Sequence, residues 1–365
     1  MAQIFVSVVA HFFMSVGGSE IHERLAHFFI DFYMQAFTDG AYYYFFIEHI
    51  GHISFSVLLS PPIYPTFNGL KCSVFGRFGA LQSILIHGII FTRKAAKKEG
   101  DRMSYTLLKQ LDRYAEAIRK HRPLTPEESK ELDAYFRIGA TYASNALEGN
   151  SLTLSETKVL LEDGITVGGK PIRDCYEATG HARAYDYMLE TARGGPLQFR
   201  EEDILQLHTL FYSGIDPAHA GRYREGQVFI TGTEYVPPMA EEVPVQMTAL
   251  MNELNQKKDT LHPVVLAAYA HRRLVDIHPF QDGNGRTARL LMNLILVNRG
   301  YCIATIPPIL RHDYITALQQ AQRTRNPTDT PFVNLICQCE LEAQKDYCRL
   351  FRIRLPEHSK DAMDR

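Results

Sequence analysis

The chain has 365 residues and a formal net charge of −2 at pH 7, which allows one or two domains with a large core. Because the charge is almost balanced, the sequence excludes a protein that binds polyanions over its whole surface, and any anion site must be local. Six cysteines in a chain of this length do not form a disulfide framework. We interpret the C-x-C pair of Cys337 and Cys339 as core thiols, because no second pair lies at zinc-site spacing.

The first 92 residues differ in composition from the rest of the chain. They contain 14 of the 21 phenylalanines and few charged residues, and neither a helical nor a strand period continues for long. The apolar run FGALQSILIHGIIFT is followed by RKAAKK, which suggests a membrane segment with its positive end inside. The run is shorter than the ~20 residues that a span needs, Arg77 directly precedes it and His87 interrupts it.

Other interpretations of this segment stay open. A secretory signal fits poorly because no Lys or Arg precedes IFVSVVAHFFMSV. Residues 1–92 could also be upstream sequence, with Met103 as the true start of the protein. We therefore expect a cytoplasmic protein, membrane-associated only if residues 1–92 belong to it. RKAAKK is typical of a solvated linker rather than of a nucleic-acid patch, so we expect no nucleic-acid partner.

Residues 103–352 show helical spacing of apolar residues almost throughout, with segments bounded by Gly or Pro. One start signal is complete, because Thr125, Pro126 and Glu128 predict a capped helix. The exception is GQVFITGTEYVPP, residues 226–238, whose β-branched run and closing prolines predict a short hairpin. We expect a mainly α fold with one hairpin, divided into an N-terminal helical part (103–200), a core (201–352) and a tail (353–365).

The segment HPFQDGNGRTAR, His278–Arg289, joins two predicted helices. The first should begin at Pro263 and run to about Ile277, because the residue before a proline is pushed out of the α region. The second should start at or just after Asn284 and end at Gly300. The loop between them is therefore tight.

The residues of this segment suit a polyphosphate. A helix N-terminus presents unpaired N–H groups and the positive end of the helix dipole. Gly283 and Gly285 let the backbone approach a ligand closely, and Asn284 adds a side-chain donor. Arg286 and Arg289 lie three apart on one face of the first turn, with guanidinium groups that match phosphate oxygens. Together these features predict an anion cradle.

Two further residues point to catalysis. An aspartate beside a polyphosphate is repulsive unless a cation lies between them, so Asp282 implies Mg²⁺ held by one carboxylate, phosphates and waters. His278 is the natural proton acceptor near neutral pH, since an unperturbed imidazole has a pKa of about 6.5. Each feature alone has a structural explanation, and Phe280 is expected to be a core plug. His271 lacks a third metal ligand at suitable spacing, so we interpret it as a hydrogen-bonded buried histidine.

The segment resembles the signature of the Fic (filamentation induced by cAMP) family, H-x-F-x-(D/E)-G-N-G-R-x-x-R, and matches it at every fixed position. The resemblance covers about residues 103–352, including GRYREGQVFITGTEYVPP and RHDYITAL. It implies a helical Fic-type fold with a β-hairpin flap. It also implies an enzyme that transfers AMP from ATP to a Tyr, Ser or Thr hydroxyl of a target protein.

The resemblance also assigns roles to individual residues. His278 would be the general base, and Asp282 would hold Mg²⁺ between the α- and β-phosphates. The phosphates would be bound by Gly283, Asn284, Gly285 and Arg286, with Arg289 on the γ-phosphate. Tyr314 would line the nucleoside by its position, and the flap residues Val228, Phe229 and Ile230 would hold the target's backbone by strand addition.

SNALEG, Ser144–Gly149, matches the family's inhibitory motif, (S/T)-x-x-x-E-(G/N). Without the family, a helix end capped by Gly149 explains it, although Glu148 there opposes the helix dipole and needs a positive partner. The resemblance supplies Arg289, which could not hold the γ-phosphate while paired. It therefore implies autoinhibition from the N-terminal side of the same chain, and family habit suggests a homodimer that controls the release of Glu148.

Two alternatives to AMP transfer stay open. The first is the reverse reaction, a phosphodiesterase that removes AMP from a target. Glu148 would then position or activate a water, and His278 would protonate the leaving hydroxyl. The second is a non-catalytic nucleotide-sensing module, which the presence of both His278 and Asp282 argues against, because a simple binder needs neither.

Overall fold

The computed structural model describes residues 104–166, 168–230, 233–323 and 328–354, and two short strands nearer the N-terminus. The chain falls into two compact units, Met1–Ile90 and Phe91–Arg365. In the first, β1 (Phe45–Phe46) pairs antiparallel with β2 (Ser56–Val57). The apolar and signal-like runs discussed above lie outside the described residues. Among the helices that are described, none is long and apolar enough to cross a membrane.

The described residues of the second unit are mainly helical, as predicted. Single 3₁₀ turns lie at Ala240–Glu242 and Pro308–Leu310. The α-helices in chain order are α1 (104–120), α2 (Pro126–Ala146), α3 (Leu154–Asp163), α4 (Ile172–Arg193), α5 (Glu201–Tyr212), α6 (Val243–Lys257), α7 (Pro263–Ile277), α8 (Asn284–Asn298), α9 (Arg311–Gln322) and α10 (Thr330–Leu350).

Local signals set several of these boundaries. The capping box before α2 is confirmed: the Glu128 N–H donates to Thr125 Oγ1 (3.2 Å) and the Thr125 N–H donates to Glu128 Oε2 (2.8 Å). The bounds of α7 and the start of α8 also agree with the sequence prediction. These boundaries depend on residues within one turn of each other, which is why a linear pattern can predict them.

The core is centred on α8, which packs against α7, α4, α5 and α2. Apolar side chains cover most of its circumference, and the following are at most 2% exposed: Leu290, Leu291, Met292, Ile295 and Leu296. A helix with apolar side chains over most of its circumference must be buried, and each such side chain contributes roughly 1.5–3 kcal/mol on leaving water. The position of the α8 N-terminus is therefore fixed by the core behind it.

The predicted hairpin at residues 226–238 is not confirmed as a pair of strands. The structure assigns no strand to residues 226–230 or 233–238, and the two residues between them lie outside the described part. Side chains join the two ends of this segment instead. Arg224 donates to the carbonyls of Gly226 (2.9 Å) and Pro238 (2.5 Å), and Gln227 Nε2 donates to the carbonyl of Pro237 (3.1 Å). The segment therefore returns on itself, while a strand ladder stays a prediction.

The C-x-C pair lies within α10, where Cys337 and Cys339 are both buried and free. Burial raises the pKa of each thiol to about 12, so neither is a ready thiolate. The interpretation of these residues as core thiols is confirmed.

The contact between α4 and α5 leads to a stability prediction. A Cβ on Gly180 would overlap the carbonyl group of Phe211 and lie 3.0 Å from its carbon, so Gly180→Ala must push the helices apart. We expect it to destabilise the fold by about 1–3 kcal/mol, the usual cost of overpacking. The matched control is Gly139→Ala in α2, where nothing lies within 4 Å of the added methyl. It should leave stability unchanged or raise it by up to about 1 kcal/mol. Equal denaturation midpoints for the two variants would contradict the predicted packing.

Candidate active site

His278 lies at the C-cap of α7 in the left-handed region, with φ 51° and ψ 58°. Non-glycine residues in this region carry about 1–3 kcal/mol of strain and are concentrated at functional sites. The His278 N–H donates to the Leu274 carbonyl (3.0 Å), and Nδ1 lies 3.3 Å from the Val275 carbonyl. A carbonyl can only accept, so Nδ1 carries the proton. The lone pair of Nε2 is therefore available to accept another.

The surroundings of His278 favour the neutral ring. Burial lowers the pKa of His278 below its ordinary value of 6.5, and the charge of Arg224 lowers it further. The hydrogen bond to Val275 and the charges of Glu148 and Asp282 act in the opposite direction without reversing the shift. A neutral imidazole at pH 7 is the form that a general base requires.

Arg224 holds the backbone on which His278 is carried. Its side chain is buried, with Nε donating to the His278 carbonyl (2.8 Å), while its own N–H donates to the Pro279 carbonyl (2.9 Å). The same guanidinium joins the ends of the predicted flap. Sequence reasoning did not single out Arg224, because nothing in a linear pattern shows that residues 54 apart meet.

The motif loop is supported from behind by α5. The ring of Phe280 is fully buried and stacks on His208, with centroids 3.8 Å apart and planes within 1° of parallel. His208 Nδ1 accepts from the Gly221 N–H (2.9 Å), so its Nε2 donates to the Asp282 carbonyl (3.0 Å). Burial lowers the pKa of His208 to about 4 and keeps it neutral. Phe280 is thus the predicted core plug, and its partner His208 was missed.

Asn284 closes the loop on itself. Its Oδ1 accepts from the Phe280 N–H and its Nδ2 donates to the Phe280 carbonyl, both at 2.9 Å, and the side chain is buried. The sequence suggested that this amide donates to a ligand. In the structure, its oxygen and its nitrogen are both hydrogen-bonded within the loop. What Asn284 presents at the first turn of α8 is its backbone N–H, which belongs to the orphan donors of a helix start.

Gly285 is required by the approach of Glu148. A Cβ at this position would collide with Glu148 Oε1 and lie 3.1 Å from Arg289 Nη1. The carboxylate of Glu148 therefore lies against the first turn of α8, where the helix dipole favours negative charge.

Arg289 is the partner of Glu148, as the resemblance implied. Arg289 Nη2 donates to Glu148 Oε1 (2.7 Å) and to the Ser144 carbonyl (2.9 Å), and Nε donates to Ser144 Oγ (2.9 Å). Burial alone would raise the pKa of the Glu148 carboxyl. The charge and hydrogen bond of Arg289 outweigh that effect, with help from Arg286, and hold this pKa below its usual value. The pair is therefore ionised at neutral pH.

Tyr314 lies beside this pair. It is buried, and its hydroxyl accepts from Arg289 Nη1 (3.2 Å) and lies 3.2 Å from His271 Nε2. The structure therefore places Tyr314 in contact with Arg289, and its contact with a nucleoside stays a prediction. His271 is a fully buried, hydrogen-bonded histidine, as expected.

A second group of charges surrounds Asp282. Its Oδ1 accepts from the Gly283 N–H (2.6 Å) and from Arg286 Nη2 (3.1 Å), and its Oδ2 accepts from Arg173 Nη2 (2.7 Å). Arg286 is buried with its guanidinium over the Phe211 ring (4.5 Å) and lies 3.1 Å from Glu177 Oε1. The two α4 residues in this group, Arg173 and Glu177, were not predicted.

These residues fit the predicted Mg²⁺. The Asp282 side chain is 39% exposed, and both its oxygens already face cations. No cluster of three or more His, Cys, Asp or Glu within the described residues could hold a metal by itself. A single carboxylate that shares the ion with phosphates and waters is the arrangement that Mg²⁺ commonly takes.

Comparison with known proteins decides the family. Residues 198–296 match the model of the Fic/DOC family. A Fic domain-containing signaling protein from Bacteroides thetaiotaomicron superposes with a TM-score of 0.61 and 30% identity, over 69% of this chain and 99% of its own. The chain belongs to the Fic/DOC family. The family predicted from HPFQDGNGRTAR is thereby confirmed.

Other Fic proteins support this assignment. Fic-1 from C. elegans superposes with a TM-score of 0.62 and 28% identity, over 75% of this chain and 78% of its own. A protein from Nematostella vectensis named Protein adenylyltransferase Fic is 40% identical over 214 residues, which cover 57% of this chain and 47% of the relative. Its namesake from Aedes aegypti is 39% identical over 211 residues, or 57% of this chain and 41% of the relative. The Fic-family chain thus spans less than half the length of these two relatives.

The environment of His278 gives a pH prediction. Since burial lowers its pKa, the imidazole should stay neutral at pH 7 and gain a proton only as the pH falls below 6.5. Side-chain NMR of labelled histidine should show a midpoint below 6.5 for this residue. His278→Asn assigns the signal, because asparagine tolerates a left-handed backbone. A midpoint at or above 6.5 would contradict the environment described here.

Proposed function

We propose that this Fic-family chain is a protein adenylyltransferase, which transfers AMP from ATP to a Tyr, Ser or Thr hydroxyl of a target protein. One observation carries the proposal: His278 ends α7 with Nδ1 at the Val275 carbonyl and Nε2 left to accept a proton, and Asp282 lies in the short loop that leads from it to the N-terminus of α8. The curated relatives named Protein adenylyltransferase Fic support the same activity.

In the proposed reaction these positions supply the residue roles, and the family resemblance supplies the choice of the α-phosphorus. His278 Nε2 takes the proton of the target hydroxyl, and the hydroxyl oxygen attacks the α-phosphorus of ATP. The bond from that phosphorus to the bridging oxygen breaks, and pyrophosphate leaves. The backbone N–H groups of Gly283, Asn284 and Gly285 bind the phosphates at the start of α8, with Arg286 beside them. Mg²⁺ bound by Asp282 would supply positive charge between the α- and β-phosphates.

The target is proposed to bind at the flap. Val228, Phe229 and Ile230 are its contact residues, and Phe229 is 81% exposed, which is unusual for a large apolar side chain. An extended target segment that adds to this edge through main-chain hydrogen bonds would place its hydroxyl near His278 without demanding one sequence.

The described state is proposed to be autoinhibited. Ser144, Glu148 and Tyr314 together take four of the five N–H groups of Arg289. In that state Arg289 cannot bind a γ-phosphate as well, and Glu148 occupies the anion position beside Gly285. Productive binding of ATP therefore requires the Glu148 carboxylate to leave.

One observation also favours the reverse reaction, removal of AMP from a modified target. Glu148 is held ionised and its charge acts on His278, so it could position or activate a water. His278 would then need a proton on Nε2 to protonate the leaving hydroxyl. Both directions use the same residues, but the roles of Glu148 and His278 differ between them.

We expect Glu148→Gly to raise AMP transfer by about 5- to 150-fold, the usual range of an inhibitory coupling. The measurement is labelled AMP incorporated from ATP into the protein itself and into lysate proteins. His278→Asn in the Glu148→Gly chain should abolish incorporation without abolishing nucleotide binding. Glu131→Gln is the matched control, because this exposed glutamate lies on α2, the helix that Glu148 follows, away from the motif.

Other outcomes would redirect the proposal. An unchanged signal in Glu148→Gly would remove the autoinhibitory role. Loss of AMP from a modified protein with wild type, but not with Glu148→Gly, would show the reverse direction. Nucleotide binding without transfer in either chain would indicate a non-catalytic sensing module.

A further inference from the structure

Asp282 is held by two arginines in very different surroundings. Arg286 has a side chain only 4% exposed, fixed between the Phe211 ring, Glu177 and Asp282. Arg173 has a side chain 54% exposed, and its Nη2 reaches Asp282 Oδ2 from the first turn of α4. The two carboxylate oxygens differ in the same way, because Oδ1 is bound by the loop and by Arg286, whereas Oδ2 faces Arg173.

Arg173 occupies an unfavourable place for its own helix. It lies in the first turn of α4, where a positive charge opposes the helix dipole, and the N-cap Pro171 makes no side-chain capping bond there. What holds the guanidinium is external to that turn: Asp282 on one side and Glu177 Oε1, 3.1 Å from Nε, on the other. The charge of Arg173 is therefore compensated by these two acidic side chains and not by the dipole of α4.

Arg173 has a second acidic partner besides Asp282, and that partner is itself held by other residues. Glu177 Oε1 contacts both Arg173 and Arg286, and its Oε2 accepts from Asn150 Nδ2 (3.0 Å), two residues after Glu148. Glu177 can thus retain Nε of Arg173 after Nη2 has left Asp282. Through Asn150, Glu177 also connects Arg173 to the turn that carries Glu148.

We propose that Arg173 is a built-in counter-cation of Asp282, which neutralises this carboxylate in the nucleotide-free protein and yields it to the divalent cation that accompanies a nucleoside triphosphate. The inference rests on the proposed use of Asp282 for Mg²⁺. An ion that binds Oδ2 would compete with Nη2, because Mg²⁺ at about 2.0–2.1 Å from this oxygen would stand beside a guanidinium 2.7 Å from the same atom, and the two positive charges repel each other.

The proposal predicts effects of opposite sign with and without metal. Arg173→Gln removes the competitor of Mg²⁺, so less Mg²⁺ should be needed for ATP to bind. Without metal, the same change leaves Asp282 less neutralised and closer to a bare polyphosphate, so ATP should bind more weakly. A purely structural role for Arg173, or a direct contact with phosphate, would weaken binding in both conditions.

The test is calorimetric titration of the full chain with ATP, in EDTA and over a series of Mg²⁺ concentrations. Every variant carries His278→Asn so that ATP is not consumed. We expect Arg173→Gln to lower the half-saturating Mg²⁺ concentration by about 2- to 5-fold, the scale of a partly exposed ion pair, and to weaken ATP binding in EDTA. Arg173→Lys, which keeps the charge, should lie between wild type and Arg173→Gln.

Two controls make the result specific. Arg183→Gln removes an exposed arginine from the same helix and should change neither titration. In an Asp282→Asn chain, Arg173→Gln should no longer change the Mg²⁺ dependence, because the carboxylate through which it acts is gone. An unchanged Mg²⁺ dependence of Arg173→Gln, or weaker binding both with and without metal, would overturn the proposal. Neither readout requires AMP transfer, so failure of the proposed enzymatic function would be seen separately.

Discussion

Two buried arginines at the positive end of a helix dipole are the constraint around which this site is built. Arg286 and Arg289 lie in the first turn and a half of α8 and are 3% and 4% exposed. Both the dipole and the loss of water oppose cations there, so the surroundings must supply negative charge. A polyphosphate would supply that charge. In the described structure it comes instead from Glu148, Glu177 and Asp282.

These three acidic residues come from different parts of the chain, and this suggests how binding at the site is controlled. Asp282 belongs to the motif loop, whereas Glu148 follows α2 and Glu177 lies on α4. The part of the chain that precedes the motif loop therefore provides the negative charges that a ligand would otherwise bring. Arg173 stands in a corresponding way for the metal, since it pairs with the Asp282 carboxylate that Mg²⁺ would use. The charges of these arginines and acids are thus close to balance in the described structure, and under our proposals ligand binding exchanges their partners.

The position of His278, the proposed base, depends on a second set of contacts, which are mainly between uncharged groups. Arg224 holds the carbonyls of His278 and Pro279, and the stacked rings of His208 and Phe280 hold the loop that follows. With Asn284 closing the loop on Phe280, the left-handed backbone of His278 is fixed from several sides. Strain at one residue persists only when the surrounding structure over-determines it, which is the situation here.

The sequence by itself determined the features that depend on neighbours along the chain. The capping box of α2, the ends of α7 and the start of α8 follow from residues within a few positions of each other, and the motif that identifies the family is itself contiguous. Phe280 as a plug and the C-x-C pair as core thiols could be predicted because apolar character alone decides burial.

Only the tertiary structure decided which distant side chains complete the site. Arg173 and Asp282 are 109 residues apart, and His208 and Asp282 are 74 apart, so no periodicity links them. The motif did not show that the Asn284 amide is used by its own loop, because that depends on how the chain turns between two packed helices. The strand ladder of the flap stays a prediction for the same reason: β-branched spacing predicts extended chain, but pairing depends on tertiary contacts that here come from Arg224 and Gln227.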